Sequence, residues 1–524
     1  MSQSKLQAKV DQIFNEVFKQ VTDQPDLENF HHLLQQCHQQ LHQPMRVAIV
    51  GLIKAGKSTL MNALLEEAIV SMGAVEATFN VNWLKYGNRP SLMVYFKDTS
   101  APEKKSFEEL AELTLRADKY HDYLLSIKYI EVSYPNDILK MFSLIDTPGL
   151  QSFYEDDSQN TRNFLQLHGR ELTEITQVEA ANADAVLYLF SRSLGTEDKS
   201  IIEEFQGQRM GQTNPINAIG VLTKVDFYAS DPKVTDPLAT GNQIAQRLAN
   251  HPQVRRLLYT VKPVCGLLAL GAKTLKPEEF VTLTALAQLP EDRFKRLIRN
   301  VTRFCEKEYD DIPISPSKRK QVLERLGQYG IDLSYSLLRS GITEPEELAT
   351  RLVEYSGLDA LCNLILSHFG RRAFLIKLGT SLRQISAAYF QERRRLQGTA
   401  QEILKEVVGK FEALQAEEHA FQELNILRSF YEGKLDFDED ESRQLLEVTG
   451  EYGISCGERL GLGERATVAE MLLEAEKRIH YWQQRAYDPM LSDRQTMAAA
   501  GVLVRSYERI LSRVQKAKEN LYIT

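Results

Sequence analysis

The chain has 524 residues, a formal net charge of −8, 43% hydrophobic and 26% charged residues. This length allows two or three domains with a sizeable core, and the acidic charge balance does not indicate a nucleic-acid partner. The five cysteines are scattered without a C-x-x-C pair, which is typical of a reducing compartment and argues against a structural metal. No run approaches the ~18 apolar residues of a membrane span. We therefore expect a cytoplasmic protein, with any membrane contact peripheral, at the inner face of the cell membrane.

The first chemical motif lies between a predicted strand at 46–50 and a predicted helix at 58–65, in the stretch GLIKAGKSTL. Its spacing matches G-x-x-x-x-G-K-[ST], the loop whose backbone N–H groups surround the phosphates of a nucleotide. Lys57 would reach the β- and γ-phosphates, and the Ser58 hydroxyl would contact Mg²⁺. The residues predicted to bind nucleotide here are Gly51, Lys54, Ala55, Gly56, Lys57, Ser58 and Thr59.

A second Mg²⁺ ligand is expected after this helix, because a hydroxyl must reach the ion when the γ-phosphate is present. Between Leu60 and Pro90, Ser71 and Thr78 are the serine and threonine residues that could supply it. Ser71 lies close to the end of the predicted helix, where it can simply terminate that helix. Thr78 precedes a predicted strand, so we predict Thr78 as the metal ligand and a catalytic residue, with Ser71 as the alternative.

Strand-like segments follow at 91–96, 127–134, 141–145, 185–190, 217–222 and 259–264, several of them separated by helical segments. This order predicts a mainly parallel sheet with helices on both faces. The segment at 141–145 runs into Asp146-Thr147-Pro148-Gly149. A carboxylate at a strand end can hold a Mg²⁺-bound water, and the Gly149 N–H can meet the γ-phosphate where a side chain would obstruct. We predict that Asp146 binds metal and nucleotide and that Gly149 is a nucleotide-binding and catalytic residue.

The segment at 217–222 runs into Thr223-Lys224-Val225-Asp226, the T-K-x-D pattern of guanine-specific proteins. The Asp226 carboxylate can accept from guanine N1–H and the exocyclic amine, a pair of donors that adenine lacks. The Lys224 stem can lie over the base. A last base-contact loop is predicted from position alone at Cys265 and Gly266, after the segment at 259–264. The three motifs, each at a strand end, predict GTP and GDP as ligands.

The quoted motifs, together with EATFNVNWLKYG and PVCGLLALGA, resemble the bacterial dynamin-like GTPases, in particular the shorter, isoniazid-inducible type. The resemblance extends to residues 352–378, which are similar to the closing helix of that GTPase domain. It implies an α/β P-loop GTPase domain followed by an all-α helical bundle or stalk. It also implies Mg²⁺-dependent GTP hydrolysis and dimerisation across the nucleotide face.

On this basis we predict three parts of the chain. Residues 1–43 form N-terminal helices that pack with the C-terminal bundle. Residues 44–376 form the GTPase domain, with a helical insert at about 276–350 that contains a surface loop at 310–320. Residues 377–524 form the bundle or stalk, and a long helical pattern covers 371–432. His42 and His368 have no ligand partners at metal spacing, so we expect no metal site at either.

Catalysis needs a group other than the glutamine that orients water in Ras-type enzymes, because Leu150 stands at that position. In the dynamin-like enzymes that the chain resembles, a serine stands where this chain has Lys54, and that serine helps to hold a monovalent cation. An ammonium group offers only donors and cannot coordinate a cation. Two interpretations of Lys54 stay open. Its charge replaces the cation during γ-phosphoryl transfer, or it points to solvent and assists only the first attraction of phosphate.

The sequence thus predicts a GTP hydrolase (EC 3.6.5 type) whose stalk moves with the nucleotide cycle in membrane remodelling. Its partner would be a second copy or another dynamin-like protein. A soluble regulatory GTPase, or a heteromeric partner without lipid binding, is the main alternative. A scaffold that holds nucleotide with negligible turnover is a third hypothesis.

Overall fold

The structure is a computed structural model that describes residues 3–51, 54–69, 81–98, 100–110, 113, 123, 126–147, 183–191, 215–487 and 493–522. Within these ranges the strands are β1 (Met45–Gly51), β2 (Asn82–Tyr86), β3 (Ser91–Phe96), β4 (Glu103–Lys105), β5 (Ile127–Tyr134), β6 (Phe142–Asp146), β7 (Ala185–Ser191), β8 (Ala218–Thr223) and β9 (Val261–Val264). The strand segments predicted from the sequence are confirmed, with ends that differ by one or two residues.

The helices are numbered in the same way, over the described ranges. The first twelve are α1 (Gln3–Val21), α2 (Glu28–His42), α3 (Lys57–Leu65), α4 (Ile138–Met141), α5 (Pro237–Asn250), α6 (Pro252–Arg255), α7 (Gly266–Lys273), α8 (Pro277–Ala287), α9 (Glu291–Ile298), α10 (Val301–Glu306), α11 (Pro316–Arg339) and α12 (Pro345–Ser356). The remaining eight are α13 (Leu358–Leu364), α14 (Ala373–Glu392), α15 (Thr399–Glu417), α16 (His419–Tyr431), α17 (Glu439–Val448), α18 (Cys456–Arg459), α19 (Val468–Tyr487) and α20 (Arg494–Tyr522). A π-helical turn, Ile365–Phe369, connects α13 toward α14.

The strands form one sheet in the order β4-β3-β5-β2-β6-β1-β7-β8-β9. Five neighbouring pairs are parallel, from β6 through β1, β7 and β8 to β9 and between β2 and β5. The other three pairs, β2 with β6 and β3 with both β4 and β5, are antiparallel. The predicted fold class, a mainly parallel sheet, is confirmed.

Both faces of the sheet are buried at β1. Successive side chains of a strand point to opposite faces. Val47 and Ile49 belong to one hydrophobic cluster and Ala48 and Val50 to the other, and all four are at most 1% exposed. A strand that is apolar at every position is typical of a parallel sheet covered by helices on both sides. The carboxyl end of β1 therefore emerges from the centre of the core.

The segment between β9 and α12 is helical, and its predicted surface loop at 310–320 is wrong in two respects. Helix α11 already begins at Pro316, and Ile312 and Ile314 are buried. The Arg319 guanidinium is also fully buried and donates 2.7 Å from Nε to the Phe304 carbonyl. The stretch is rich in charged residues and was therefore predicted to be exposed. Its Arg319 instead points inward and stabilises the loop through hydrogen bonds to backbone carbonyls.

The remaining helices form two further hydrophobic clusters. Helices α1 and α2 share one of them with α14, α15 and Phe421 of α16. Residues of α16 to α20, with the segments between them, share the other. The helical pattern predicted over 371–432 is confirmed, and it consists of three helices, with interruptions after α14 and after Glu417; Gly398, with φ 61°, precedes α15. The division into three parts stays a prediction.

None of the helices in the described ranges is both long enough and apolar enough to cross a bilayer.

Candidate nucleotide-binding site

The loop that follows β1 has a backbone that few residue types can adopt. Gly51 lies against β7, and a Cβ atom there would stand 2.4 Å from the Leu189 carbonyl oxygen. Gly56 has a φ of 89° and no heavy atom within 4 Å of where a Cβ would be, which leaves its outer side open. Lys54 also has a left-handed backbone, with φ 63°. Left-handed residues within a tight loop turn N–H groups toward one side, the arrangement that surrounds anions.

Lys57, the first residue of α3, extends back into this loop. Its side chain is buried, and Nζ donates to the Gly51 carbonyl at 3.2 Å. Burial lowers the pKa of Lys57 to about 8, against the opposing effect of the Asp146 charge. A buried ammonium group is stabilised by a nearby anion, so the loop is electrostatically suited to phosphate.

Asp146 ends β6 beside this loop. Strands β1 and β6 are parallel with Ile49 opposite Asp146, and the Asp146 side chain is buried. The next residue, Thr147, donates from Oγ1 to the Ile49 carbonyl at 2.8 Å, which fixes the backbone as it leaves the strand. The structure thus brings Asp146 to the same sheet edge as Lys57, whose charge it influences.

The structure describes two of the three predicted Mg²⁺ ligands, Ser58 and Asp146. Ser58 lies in the first turn of α3 and Asp146 at the end of the neighbouring strand. A hydroxyl and a carboxylate are hard oxygen donors of the kind that Mg²⁺ prefers. The described members of the set therefore fit this ion. Thr78, its alternative Ser71, and Gly149 lie outside the described residues.

Thr223 joins the base-reading loop to the phosphate loop. Its Oγ1 lies 2.8 Å from the Ala55 carbonyl and 3.0 Å from the Phe190 carbonyl, so either main-chain oxygen can accept its proton. The side chain of Thr223 is buried at the end of β8. The hydroxyl of Thr223 contacts the protein's own backbone and couples the two loops. That Thr223 also binds nucleotide stays a prediction.

Lys224 follows in a left-handed conformation with φ 58°. Its Nζ lies 5.8 Å from the centroid of the Phe227 ring, which is 65% exposed. Burial lowers the pKa of Lys224, the nearby charge of Lys54 lowers it further, and Asp226 opposes both. The exposed Lys54 is therefore close enough to the base-reading loop to act on Lys224 electrostatically.

Asp226 lies on the short helical turn Val225–Ser230, next to Cys265. Burial raises the pKa of Asp226, while a hydrogen bond from the Cys265 thiol lowers it. A carboxylate that is destabilised by burial gains from additional donors, which guanine would supply. Cys265 is itself held in place, because its backbone N–H donates to the Ser356 carbonyl at 2.8 Å.

The remaining predicted residues lie at the same edge. Gly266 begins α7, and a Cβ there would be 3.5 Å from Thr59 Cγ2 on α3. Cys265 and Gly266, which were predicted from position alone, thus lie between the base-reading loop and α3. The sequence did not predict a role for Phe227, whose ring lies beside the Lys224 ammonium group. The position of Phe227 directly after the T-K-x-D motif could have indicated that it belongs to the site.

These loops occupy the carboxyl ends of β1, β6 and β8, the edge at which open α/β sheets bind ligands. The fold and the order of the loops define the class of P-loop GTPases. A model of the dynamin family matches residues 47–225. The chain is 30% identical over 476 residues to isoniazid-induced protein IniC of Mycobacterium tuberculosis (strain CDC 1551 / Oshkosh), which spans 90% of this chain and 91% of IniC. The chain belongs to the bacterial dynamin-like GTPases, and the resemblance seen in its sequence is confirmed.

Two further similarities are more limited. Isoniazid-induced protein IniA of the same strain is 27% identical over 240 residues, which cover 45% of this chain and 33% of IniA. A solved structure from work on an oligomerised bacterial dynamin pair in the long-range sensing and tethering of membranes covers 98% of this chain and 80% of its own at 14% identity. Its TM-score is 0.30.

Proposed function

We propose that this chain binds GTP with Mg²⁺ and hydrolyses it to GDP. The observation that carries the proposal is the meeting of Lys57, Asp146 and Asp226 at one sheet edge, with Thr223 joining the phosphate loop of Lys57 to the base-reading loop of Asp226. Lys57 would neutralise the β- and γ-phosphates, and Asp226 would orient guanine through its two donors. When bound, Mg²⁺ supplies positive charge at the β- and γ-phosphate oxygens.

The test is GTP turnover by the full chain with Mg²⁺, compared with ATP. We expect GTP alone to be hydrolysed and Lys57→Ala to lose tight GTP binding, because the phosphates lose their main counter-charge. Lys233→Ala removes an exposed lysine of the same domain and serves as the control. Equal turnover of ATP and GTP, or wild-type GTP affinity in Lys57→Ala, would refute the assignment.

We propose further that two chains associate across the nucleotide face, or one chain with another dynamin-like protein, and that the helical region moves with the nucleotide. The support is Leu150, which cannot orient a water molecule, together with the membership of the dynamin family. Turnover per molecule should then rise with protein concentration. A chain that light scattering shows to be monomeric throughout, and whose turnover is flat over a hundredfold range, would contradict association.

Because the chain belongs to the dynamin family, we also propose that it contacts membranes peripherally and remodels them. Co-sedimentation with anionic vesicles, measured without nucleotide, with GDP and with a non-hydrolysable GTP analogue, tests it. We expect the bound fraction to depend on the nucleotide. Equal and negligible pelleting in all three states would favour a regulatory GTPase that does not bind lipid itself.

A further inference from the structure

Three polar side chains converge between the two N-terminal helices, outside the nucleotide loops. Asp11 of α1 accepts hydrogen bonds at Oδ1 from His38 Nε2 at 2.9 Å and from His42 Nε2 at 3.0 Å, both on α2. The three ligand-type atoms lie within 4.8 Å of one another. His38 and His42 stand four residues apart and therefore project from the same face of the helix. We expected His42 to lack partners at metal spacing, and that expectation is wrong.

The two imidazoles are oriented before any ligand arrives. The His38 ring packs against Phe14 at a centroid distance of 4.9 Å and edge-on against Phe18 at 5.7 Å. The His42 ring stands nearly perpendicular to His38, at 85° and 5.0 Å. Aromatic packing on one side and a shared carboxylate on the other direct both Nε2 atoms to the same point. A ligand at that point would require little rearrangement of the side chains.

The donor set selects a class of ion. Two neutral imidazoles and one carboxylate are typical ligands of zinc-like divalent transition metals, whereas Mg²⁺ and Ca²⁺ prefer oxygen ligands. Asp11 and His38 are 33% and 24% exposed and His42 is 42% exposed, so water can reach the group and complete a four-coordinate shell. The Nε2 protons that now go to Asp11 would be displaced to the other ring nitrogens.

The other nitrogen of His42 has a suitable neighbour. Gln7 Nε2 lies 3.4 Å from His42 Nδ1. A glutamine amide carries a donor and an acceptor at its end, so rotation of the amide by half a turn would present its oxygen to an Nδ1–H. A hydrogen bond to the second ring nitrogen fixes the tautomer of metal-binding histidines.

We propose that Asp11, His38 and His42 form a binding site for one zinc-like divalent metal ion that clamps α1 to α2. The site does not depend on the proposed nucleotide chemistry. Because two ligands lie on one helix and the third on the other, the ion would oppose separation of the helices. His42 is the last residue of α2, and the Lys377 Nζ of α14 donates at 2.7 Å to each of the Leu41 and Gln43 carbonyls beside it. The clamp would therefore stiffen the connection that leads into β1.

Binding is tested with the full chain, free of any histidine tag and of nucleotide, stripped with chelator and titrated with Zn²⁺ by calorimetry. We expect about one ion per chain. His38→Gln, His42→Gln and Asp11→Asn should each weaken its affinity at least tenfold, since each removes one of three ligands. His31→Gln and His32→Gln, on the same helix but outside the cluster, are the matched controls and should bind as the wild type does.

Two further measurements distinguish this site from metal binding at the cysteines or at a histidine pair alone. Co²⁺ in place of Zn²⁺ should show visible bands without the intense near-ultraviolet absorption of thiolate ligands, which excludes the cysteines. At ten times the dissociation constant, Zn²⁺ should slow local opening of residues 5–42 in hydrogen exchange by about tenfold. Wild-type affinity in Asp11→Asn would leave only a histidine pair on one helix and overturn the clamp. Wild-type affinity in both His38→Gln and His42→Gln, or no binding at tens of micromolar Zn²⁺, would overturn the site.

Discussion

The Arg372 guanidinium lies 2.8 Å from the Glu451 carboxylate, measured from Nη2 to Oε2, and both side chains are less than 10% exposed. Arg372 also contacts His368 Nδ1 at 3.1 Å, and His368 Nε2 lies 3.1 Å from the Ile216 carbonyl just before β8. The His368 ring stacks on Tyr259 at 3.8 Å. A buried polar cluster therefore joins the sheet to the segment after α17.

This cluster makes part of the stability dependent on pH. Burial would raise the pKa of Glu451, but contact with His368 and the charge of Arg372 outweigh it and lower the pKa to about 2. A carboxylate with a lowered folded-state pKa stabilises the protein fully above its ordinary pKa, near 4.5. That contribution is lost as the pH falls from there toward 2.

We therefore expect Glu451→Gln to lower the thermal unfolding midpoint at pH 7. The loss corresponds to about 3 kcal/mol, because the substitution leaves the Arg372 charge buried without its carboxylate. The difference from wild type should shrink between pH 4.5 and pH 2, as wild-type Glu451 itself becomes protonated. Glu464→Gln, at an exposed position, is the control and should change neither quantity. A difference that stays constant across this pH range would show that the Glu451 charge is not responsible.

A second pH effect is expected at Lys57, whose pKa burial lowers to about 8 in the nucleotide-free chain. The ammonium form binds phosphate, so GTP affinity should be constant well below pH 8 and decrease above it. The slope should be at most about tenfold per pH unit. Fluorescence titration between pH 6.5 and 9.5 measures it. Lys57→Arg keeps its charge over this range, so its profile should lack the decrease that begins near pH 8 and keep only the effects of guanine and Lys224, which both proteins share. Parallel profiles for the two proteins would contradict the assignment of the pKa to Lys57.

Asp226→Asn should change the preferred base. An amide donates where the carboxylate accepts, so GTP affinity should fall sharply and tolerance of xanthosine triphosphate, whose edge offers an acceptor, should improve. Competition binding of GTP and xanthosine triphosphate to the wild type and to the variant measures this change in base preference. Cys265→Ser retains a donor toward Asp226 and should keep the preference for guanine. An Asp226→Asn chain that binds GTP as tightly as wild type would exclude Asp226 from base recognition.

The two interpretations of Lys54 are separated by turnover in different salts. If its charge replaces a monovalent cation, wild-type turnover should be nearly equal in sodium, potassium and a large organic cation. Lys54→Ser should then lose about 10²-fold in hydrolysis with GTP affinity changed only a few-fold. Lys54→Arg retains the charge at the same left-handed position and is the matched variant. Full activity of Lys54→Ser, or strong potassium dependence of the wild type, would assign Lys54 to the protein surface. Its electrostatic effect on Lys224 is compatible with that outcome.

The sequence predicted the strands and the nucleotide motifs because both are local patterns. Apolar strands such as β1 have a distinct composition, and the glycine and lysine spacing of the phosphate loop follows from its own geometry. Contacts between distant segments escaped prediction. His38 and His42 carry the spacing of a metal pair, but the third group, Asp11, is brought to them only by the pairing of two helices. The partners of His368 include Glu451 and Tyr259, which lie far from it on either side in the chain, and no periodicity reveals such pairs.

The contacts of the Thr223 hydroxyl have a consequence for how affinity is distributed over the nucleotide. The Thr223 hydroxyl, where the base-reading loop begins, contacts the Ala55 carbonyl of the phosphate loop and the Phe190 carbonyl of β7, so we expect the two loops to be coupled. Ordering one loop also orders the other, so the entropy lost on binding is shared by the two ends of the ligand. Guanosine and inorganic pyrophosphate, offered separately, should therefore bind cooperatively, each improving the affinity of the other by the same factor. A threonine that joins the two loops would in this way make the site respond to the whole nucleotide.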